Sequence, residues 1–132
     1  MTKQISLFLE NKTGRIGEVA KALGANGINM KAFSMTETPD FGILRIVASD
    51  TERAVVVLND ANFAVSLTDV VCVECPDRPG SLAGVLDKIA NAGIDINYMY
   101  AFSVGDTAKF VIKPSDYEMC ERILKESGCT II

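Results

Sequence analysis

The chain has 132 residues, is 48% hydrophobic and 23% charged, and carries a net charge of −4 with no histidine. That balance is globular, not disordered, and with no run of Lys or Arg it argues against nucleic acid as a partner. No apolar stretch nears the length needed to span a bilayer, and without histidine there can be no His-based triad or His metal site.

Met1-Thr2-Lys3-Gln4 leads straight into a strand-like run and lacks the apolar segment of a signal peptide, so a cytoplasmic location is expected. Residues 5–9 read as a buried strand. Thr13-Gly14-Arg15-Ile16-Gly17 is a loop that opens a helix, along which Ile16, Val19, Ala20 and Leu23 recur at helical spacing. Gly24 and Gly27 close that helix. Residues 28–38 are extended, Pro39-Asp40-Phe41-Gly42 is a turn, and residues 43–47 form a third strand. Asp50 caps a second helix, and residues 63–67 are a fourth strand.

Shifted by 66 residues, the chain lines up with itself without a gap. Gly14 falls on Gly80, Val19 on Val85, Gly27-Ile28 on Gly93-Ile94, Ile46 on Ile112 and Ser49-Asp50 on Ser115-Asp116. The length of the unit excludes a solenoid and implies a small domain used twice, residues 1–67 and 70–132. The repeat also settles an ambiguity. Ala54-Val55-Val56-Val57-Leu58 is rich in β-branched residues and reads as a strand. Its counterpart, residues 120–124, follows a capping Asp116 and has helical apolar spacing, so both are helices. Each half is then β-α-β-β-α-β, a ferredoxin-like α+β unit. A unit of roughly 60 residues buries only about 60% of its unfolded surface, so the halves are expected to share a sheet or an apolar seam.

The second half carries Cys75-Pro76-Asp77-Arg78-Pro79-Gly80-Ser81-Leu82, followed by Gly93-Ile94-Asp95-Ile96-Asn97. The first carries a weaker copy, Asn11-Lys12-Thr13-Gly14-Arg15-Ile16-Gly17 and Asn26-Gly27-Ile28-Asn29-Met30. These segments resemble the ACT domain family, in two tandem copies over nearly the whole chain. The resemblance implies a regulatory protein that binds an amino acid and acts on a separate metabolic enzyme or regulator. It also implies side-by-side pairing through second strands, with the ligand where the first loop of one domain faces the second strand of its neighbour. The implied ligand-binding residues are Asn11, Thr13, Gly14, Arg15, Ile16, Asn29 and Met30 in the first repeat. In the second they are Asp77, Pro79, Gly80, Ser81, Leu82, Asp95 and Ile96.

The residue types suit that role. A glycine loop opening a helix offers free backbone N–H groups to a carboxylate, and glycine admits the ligand close to the backbone. If each site takes its loop from one repeat and its strand from the other, Asn11 faces Asp95 and Asp77 faces Asn29. Each pair then offers one Asp to an ammonium. Blander roles compete: Asn and Asp before a helix are common caps, an exposed arginine such as Arg15 is usually solvated, and Tyr98 and Tyr100 fit packing.

Pairing through second strands within one chain puts the two fourth strands about 29 Å apart across six strand spacings. The junction Thr68-Asp69 reaches only roughly 10–14 Å. Either the second-strand pairing lies between chains, or the repeats exchange fourth strands. The second is the favoured expectation: residues 63–67 form a hairpin with residues 70–75 across a two-residue turn, and residues 129–132 return to pair with residues 5–9. That gives an eight-stranded antiparallel sheet, order 4′-1-3-2-2′-3′-1′-4, with the helices on one face.

Cys72, Cys75, Cys120 and Cys129 all lie in the second repeat, and in a cytosolic chain they are expected to be reduced and buried. The Cys72-Val73-Glu74-Cys75 spacing precedes the loop, so it is read as structural and not as a metal or redox site. Gly14-Arg15-Ile16-Gly17 lacks the rest of a dinucleotide fingerprint. The expectation is a protein without catalytic residues, metal or cofactor, forming a homodimer through an outward sheet edge. The alternative is a structural interaction module without ligand.

Overall fold

A computed structural model describes residues 2–10 and 12–132. Its elements run β1 (Thr2–Glu10), α1 (Arg15–Ala25), β2 (Met30–Glu37), β3 (Phe41–Ala48), α2 (Thr51–Asp60), β4 (Ala64–Pro76), α3 (Ser81–Asn91), β5 (Ile96–Val104), β6 (Thr107–Pro114), α4 (Tyr117–Glu126) and β7 (Thr130–Ile131). The chain divides into two compact units, Lys3–Thr68 and Asp69–Ile132, with Thr2 grouped with the second. β4 runs through the boundary between them.

In the first unit β3 is flanked by β1 and β2, both antiparallel, with Ile5 and Phe33 each opposite Ile46. Alternation along the strands sends Ile5, Leu7, Leu9, Leu44 and Ile46 to one face. There they meet Val19 and Leu23 of α1 and Ala54 and Leu58 of α2, with Val65 of β4 packed against them. The run of valines in α2 is helical, as the repeat comparison expects. The Asp50 carboxylate accepts from the Arg53 N–H at 3.2 Å, and the helix buries Ala54 and Leu58 while Val56 faces out. A cap and one buried stripe outweigh the modest helix penalty of β-branching. The first helix passes through Gly24 before it ends.

The second unit repeats the plan. β6 lies between β4 and β5, with Val73 opposite Phe110 and Met99 opposite Ile112. Val71, Val73, Phe110 and Ile112 pack under Val85, Ile89, Cys120 and Leu124. Asp116 caps α4 by accepting from the Met119 N–H at 3.0 Å.

Three expectations about the sheet are corrected. Thr68-Asp69 is not a hairpin turn, because Ala64–Pro76 is one continuous strand of 13 residues. A two-residue hairpin turn needs residues that take positive φ readily, and neither Thr68 nor Asp69 has positive φ. The fourth strands are not exchanged: β7 pairs antiparallel with its own repeat's first strand, Val73 opposite Ile131 and Glu74 opposite Thr130. The described strands number seven, not eight: β2-β3-β1 pair in the first unit, and β5-β6-β4-β7 in the second. The short junction is therefore accommodated by extending one strand through both repeats. In each unit the second strand is an edge: β2 hydrogen-bonds to β3 and β5 to β6. Among the described residues no helix is long and apolar enough to cross a membrane.

Candidate functional site

In the first unit the loop before α1 turns at Gly14, whose φ of 88° is left-handed. A side chain there would meet nothing within 4 Å, so the requirement for glycine is conformational and not steric. With Gly14 in the N-cap position the helix has no side-chain cap; the Arg15 N–H donates to the Lys12 carbonyl at 3.4 Å and the Glu18 N–H to the Gly14 carbonyl at 3.1 Å, while the Ile16 and Gly17 N–H groups lack intrahelical acceptors. This helix start borders a cavity of about 360 Å³. Thr13, Gly14, Arg15 and Ile16 form one wall, Leu9, Glu10 and Lys12 continue it, and Met35 and Glu37 close it from the end of β2. Lys12 pairs with Glu10 at 3.0 Å, and that contact holds the Glu10 carboxyl below the usual carboxylate range.

Arg15 is more constrained than a free ligand-binding arginine. Its guanidinium pairs with Glu18 and lies 4.7 Å over the Phe63 ring. Its Nε is buried without a hydrogen-bond partner. The cavity thus combines helix N-terminal amides and Arg15, which suit a carboxylate, with the Glu37 and Glu10 carboxylates, which suit an ammonium.

The second unit has the same loop geometry, with Gly80 at φ 92° capping α3, but its cavity lies elsewhere. Gly80 and Ser81 border a space of about 330 Å³ closed by Glu74, Cys75 and Lys88 and by Gly128, Cys129 and Thr130 at the start of β7. Pro79 and Leu82 are exposed at the loop. Asp77 is tied down: its N–H donates to the Asp106 carbonyl at 2.9 Å, and its carboxylate accepts from the Ser103 hydroxyl at 3.1 Å.

The residues expected at the start of the second strands lie away from their own loops. Neither Asn29 and Met30 nor Asp95 and Ile96 line these cavities. Asp95 precedes β5, whereas Asp77 bonds Ser103 near the other end of the strand, roughly 26 Å further along. Asn29 and Asp95 are exposed, and Asn11 lies outside the described residues. The mixed pairs Asn11–Asp95 and Asp77–Asn29 rest on a β2–β5 pairing that is not among the described strand pairs. Sequence reasoning missed Glu10, Lys12, Met35 and Glu37. The signal for the last two is the alternation of β2: Phe33, Met35 and Glu37 share the face of Ile46, Leu44 and Gly42, yet Phe33 is 57% and Met35 46% exposed.

A cavity of about 440 Å³ along α4, lined by Tyr117, Glu121, Arg122 and Lys125, lies on the helix surface away from both glycine loops. The Lys125 ammonium and then the Tyr117 hydroxyl hold the Glu121 carboxyl below its usual range. All four cysteines are free thiols, Cys72 and Cys120 buried, Cys75 and Cys129 half-buried. Among the described residues no cluster of three or more acidic or thiol groups could hold a metal ion.

Comparison with known proteins agrees with the fold. The profile of a family described as an ACT domain pair matches residues 1–131. Protein BT0572 from Bacteroides thetaiotaomicron is 44% identical with a TM-score of 0.95, covering 99% of this chain and 91% of that one. The ligand-free regulatory subunit of aspartate kinase from Thermus thermophilus is 17% identical with a TM-score of 0.70, covering 94% of this chain and 90% of that one. A structure of aspartokinase alpha and beta subunits is 14% identical with a TM-score of 0.68, covering 95% and 90%. At those last two identities the likeness is one of fold. No curated protein matches the chain.

Proposed function

The chain belongs to the ACT domain pair family, and from that premise we propose that it is a regulatory protein without catalytic activity that binds an amino acid. The observation that carries this reading is the cavity of about 360 Å³ at the start of α1, with uncapped amides and Arg15 on one side and Glu37 on the other. Each repeat supplies half of a site. In an antiparallel pair of edge strands the start of one strand lies beside the end of the other. A second copy adding its β2 to this β2 brings its own Asn29 and Met30 beside Met35, Glu37 and the Thr13–Gly14 loop. A β5–β5 contact, as the alternative to β2–β2, would do the same for Asp95 and Ile96 beside Asp77 and the Pro79–Gly80 loop. Exposed Phe33 and Met35 on an edge strand support such an edge contact. The assembly is a homodimer, acting in the cytoplasm on a separate metabolic enzyme or regulator.

A second reading, an interaction module without ligand, is favoured by two observations. The Arg15 guanidinium is engaged by Glu18 and Phe63, and the Asp77 carboxylate by Ser103. Thermal-shift measurements of the full chain with each standard amino acid at millimolar concentration, paired with sedimentation velocity, separate the two. Stabilisation by one or a few amino acids and a dimeric mass support the regulatory reading. No stabilisation by any of them overturns it in favour of the interaction module.

A further inference from the structure

The β4–β7 ladder sets two thiols face to face. Val73 lies opposite Ile131 and Glu74 opposite Thr130, and the Ile132 N–H donates to the Cys72 carbonyl at 2.8 Å. One step along the same register, Cys75 stands opposite Cys129. Antiparallel pairs alternate between hydrogen-bonded and non-hydrogen-bonded. With Cys72 and Ile132 bonded, Cys75 and Cys129 form a non-hydrogen-bonded pair, and the Cys129 N–H accordingly donates away from β4, to the Leu124 carbonyl at 2.9 Å. In such pairs the Cα atoms are about 4.5 Å apart and the side chains close, within the span a disulfide bridges.

Both side chains pack against the second core beside Ile131, and both border the cavity at the start of α3. Each is half-buried and reachable. Cys72, three residues from Cys75 on a strand, points to the opposite face, and Cys120 is fully buried in the core. Of the four thiols, only this pair is both opposed and accessible.

We propose that Cys75 and Cys129 are a disulfide-forming dithiol site, oxidised reversibly by a low-molecular-weight thiol disulfide. The Lys88 ammonium donates to the Cys129 sulfur at 3.6 Å, placing a cation on the sulfur that attacks. Burial, then the neighbouring Cys129 and Asp77, pushes the Cys75 thiol up, which fits Cys75 as the resolving group. Cys129 sulfur displaces one thiolate from the small disulfide and forms a mixed disulfide. Cys75 sulfur then attacks the Cys129 sulfur and expels the second small thiolate. The two protons lost by the cysteines go to the two released thiols, and the small disulfide is the species reduced. The bond staples β7 to β4 along the wall of the cavity beside Gly80 and Ser81, so it alters that cavity without touching the α1 site.

The test is incubation of the full chain with millimolar glutathione disulfide, followed by thiol titration, peptide mapping and melting. The expected result is a fall from four free thiols to two, a Cys75–Cys129 cross-link, reversal by dithiothreitol, and a melting temperature raised by about 5 °C. Cys75→Ser should leave a stable glutathione adduct on Cys129, and Cys72→Ser should leave the cross-link intact. Persistence of four thiols, a glutathione adduct without an internal link in the unmodified sequence, or a link through Cys72 would each overturn the proposal.

Discussion

Asp95 and Ser115 exchange two hydrogen bonds: the Ser115 N–H donates to the Asp95 carbonyl at 2.8 Å, and the Asp95 N–H donates to the Ser115 hydroxyl at 3.0 Å. Asn29 and Ser49 do the same at 2.9 and 2.9 Å. In both repeats the serine precedes the aspartate that caps the second helix, so one short segment anchors the backbone where the edge strand begins. The backbone of Asn29 and Asp95 is pinned, and their exposed side chains remain available to a neighbour.

That division of labour separates stability from binding. Ser115→Ala and Ser49→Ala each remove a hydroxyl acceptor and should destabilise the chain by about 1 kcal/mol in urea unfolding. Asn29→Ala and Asp95→Ala keep the backbone bonds and should leave the unfolding midpoint nearly unchanged. In calorimetric titration they should weaken amino-acid binding by roughly tenfold or more. Unchanged affinity in both variants would refute their place in the site.

Gly14 and Gly80 sit at φ 88° and 92° with open space around the missing side chain. Gly14→Ala and Gly80→Ala should therefore cost about 1–2 kcal/mol through backbone strain alone. An equal cost in the two repeats, measured by chemical denaturation, is the expected signature. A cost near zero would mean the loops relax out of the left-handed conformation.

Gly42 lies beneath Met35, and a Cβ there would meet the end of that flexible side chain. Gly42→Ala should push the Met35 methyl aside at little cost in melting temperature while changing amino-acid affinity, because Met35 lines the α1 cavity. Affinity unaffected by the displaced methyl would remove Met35 from the site.

Cys120 gives the fold an alkaline limit. Burial first, then Asp116 and Glu121, raises its thiol to about 11. In the unfolded chain it ionises near pH 9. The native state therefore holds the proton more tightly, so stability is full below about pH 9 and falls as pH rises toward 11, by about 3 kcal/mol in all. Denaturation midpoints should fall through that window, and Cys120→Ala should flatten the slope.

The sequence showed the repeat, both glycine loops and the helical nature of α2, because each is written in local spacing or confirmed by its copy. The valines of α2 alone would have misled, and Cys120-Glu121-Arg122-Ile123-Leu124 corrected them. The strand through Thr68-Asp69 was not readable in the same way. A two-residue gap between strand-like runs suits a hairpin or an uninterrupted strand equally by length, and only the conformation of those two residues decides. The α1 cavity was half readable. Thr13, Gly14, Arg15 and Ile16 announce a helix start, but Met35 and Glu37 reach the loop through strand register, which depends on the pairing of β2 with β3.

An amino acid held between the α1 loop and the start of a second copy's edge strand would protect both segments at once. Hydrogen–deuterium exchange of the full chain, with and without a millimolar mixture of the standard amino acids, reads that protection. Slowed exchange is expected at residues 13–17 and 29–32 together. Unchanged exchange in both segments, or protection of the loop without the strand start, would contradict that placement of the ligand.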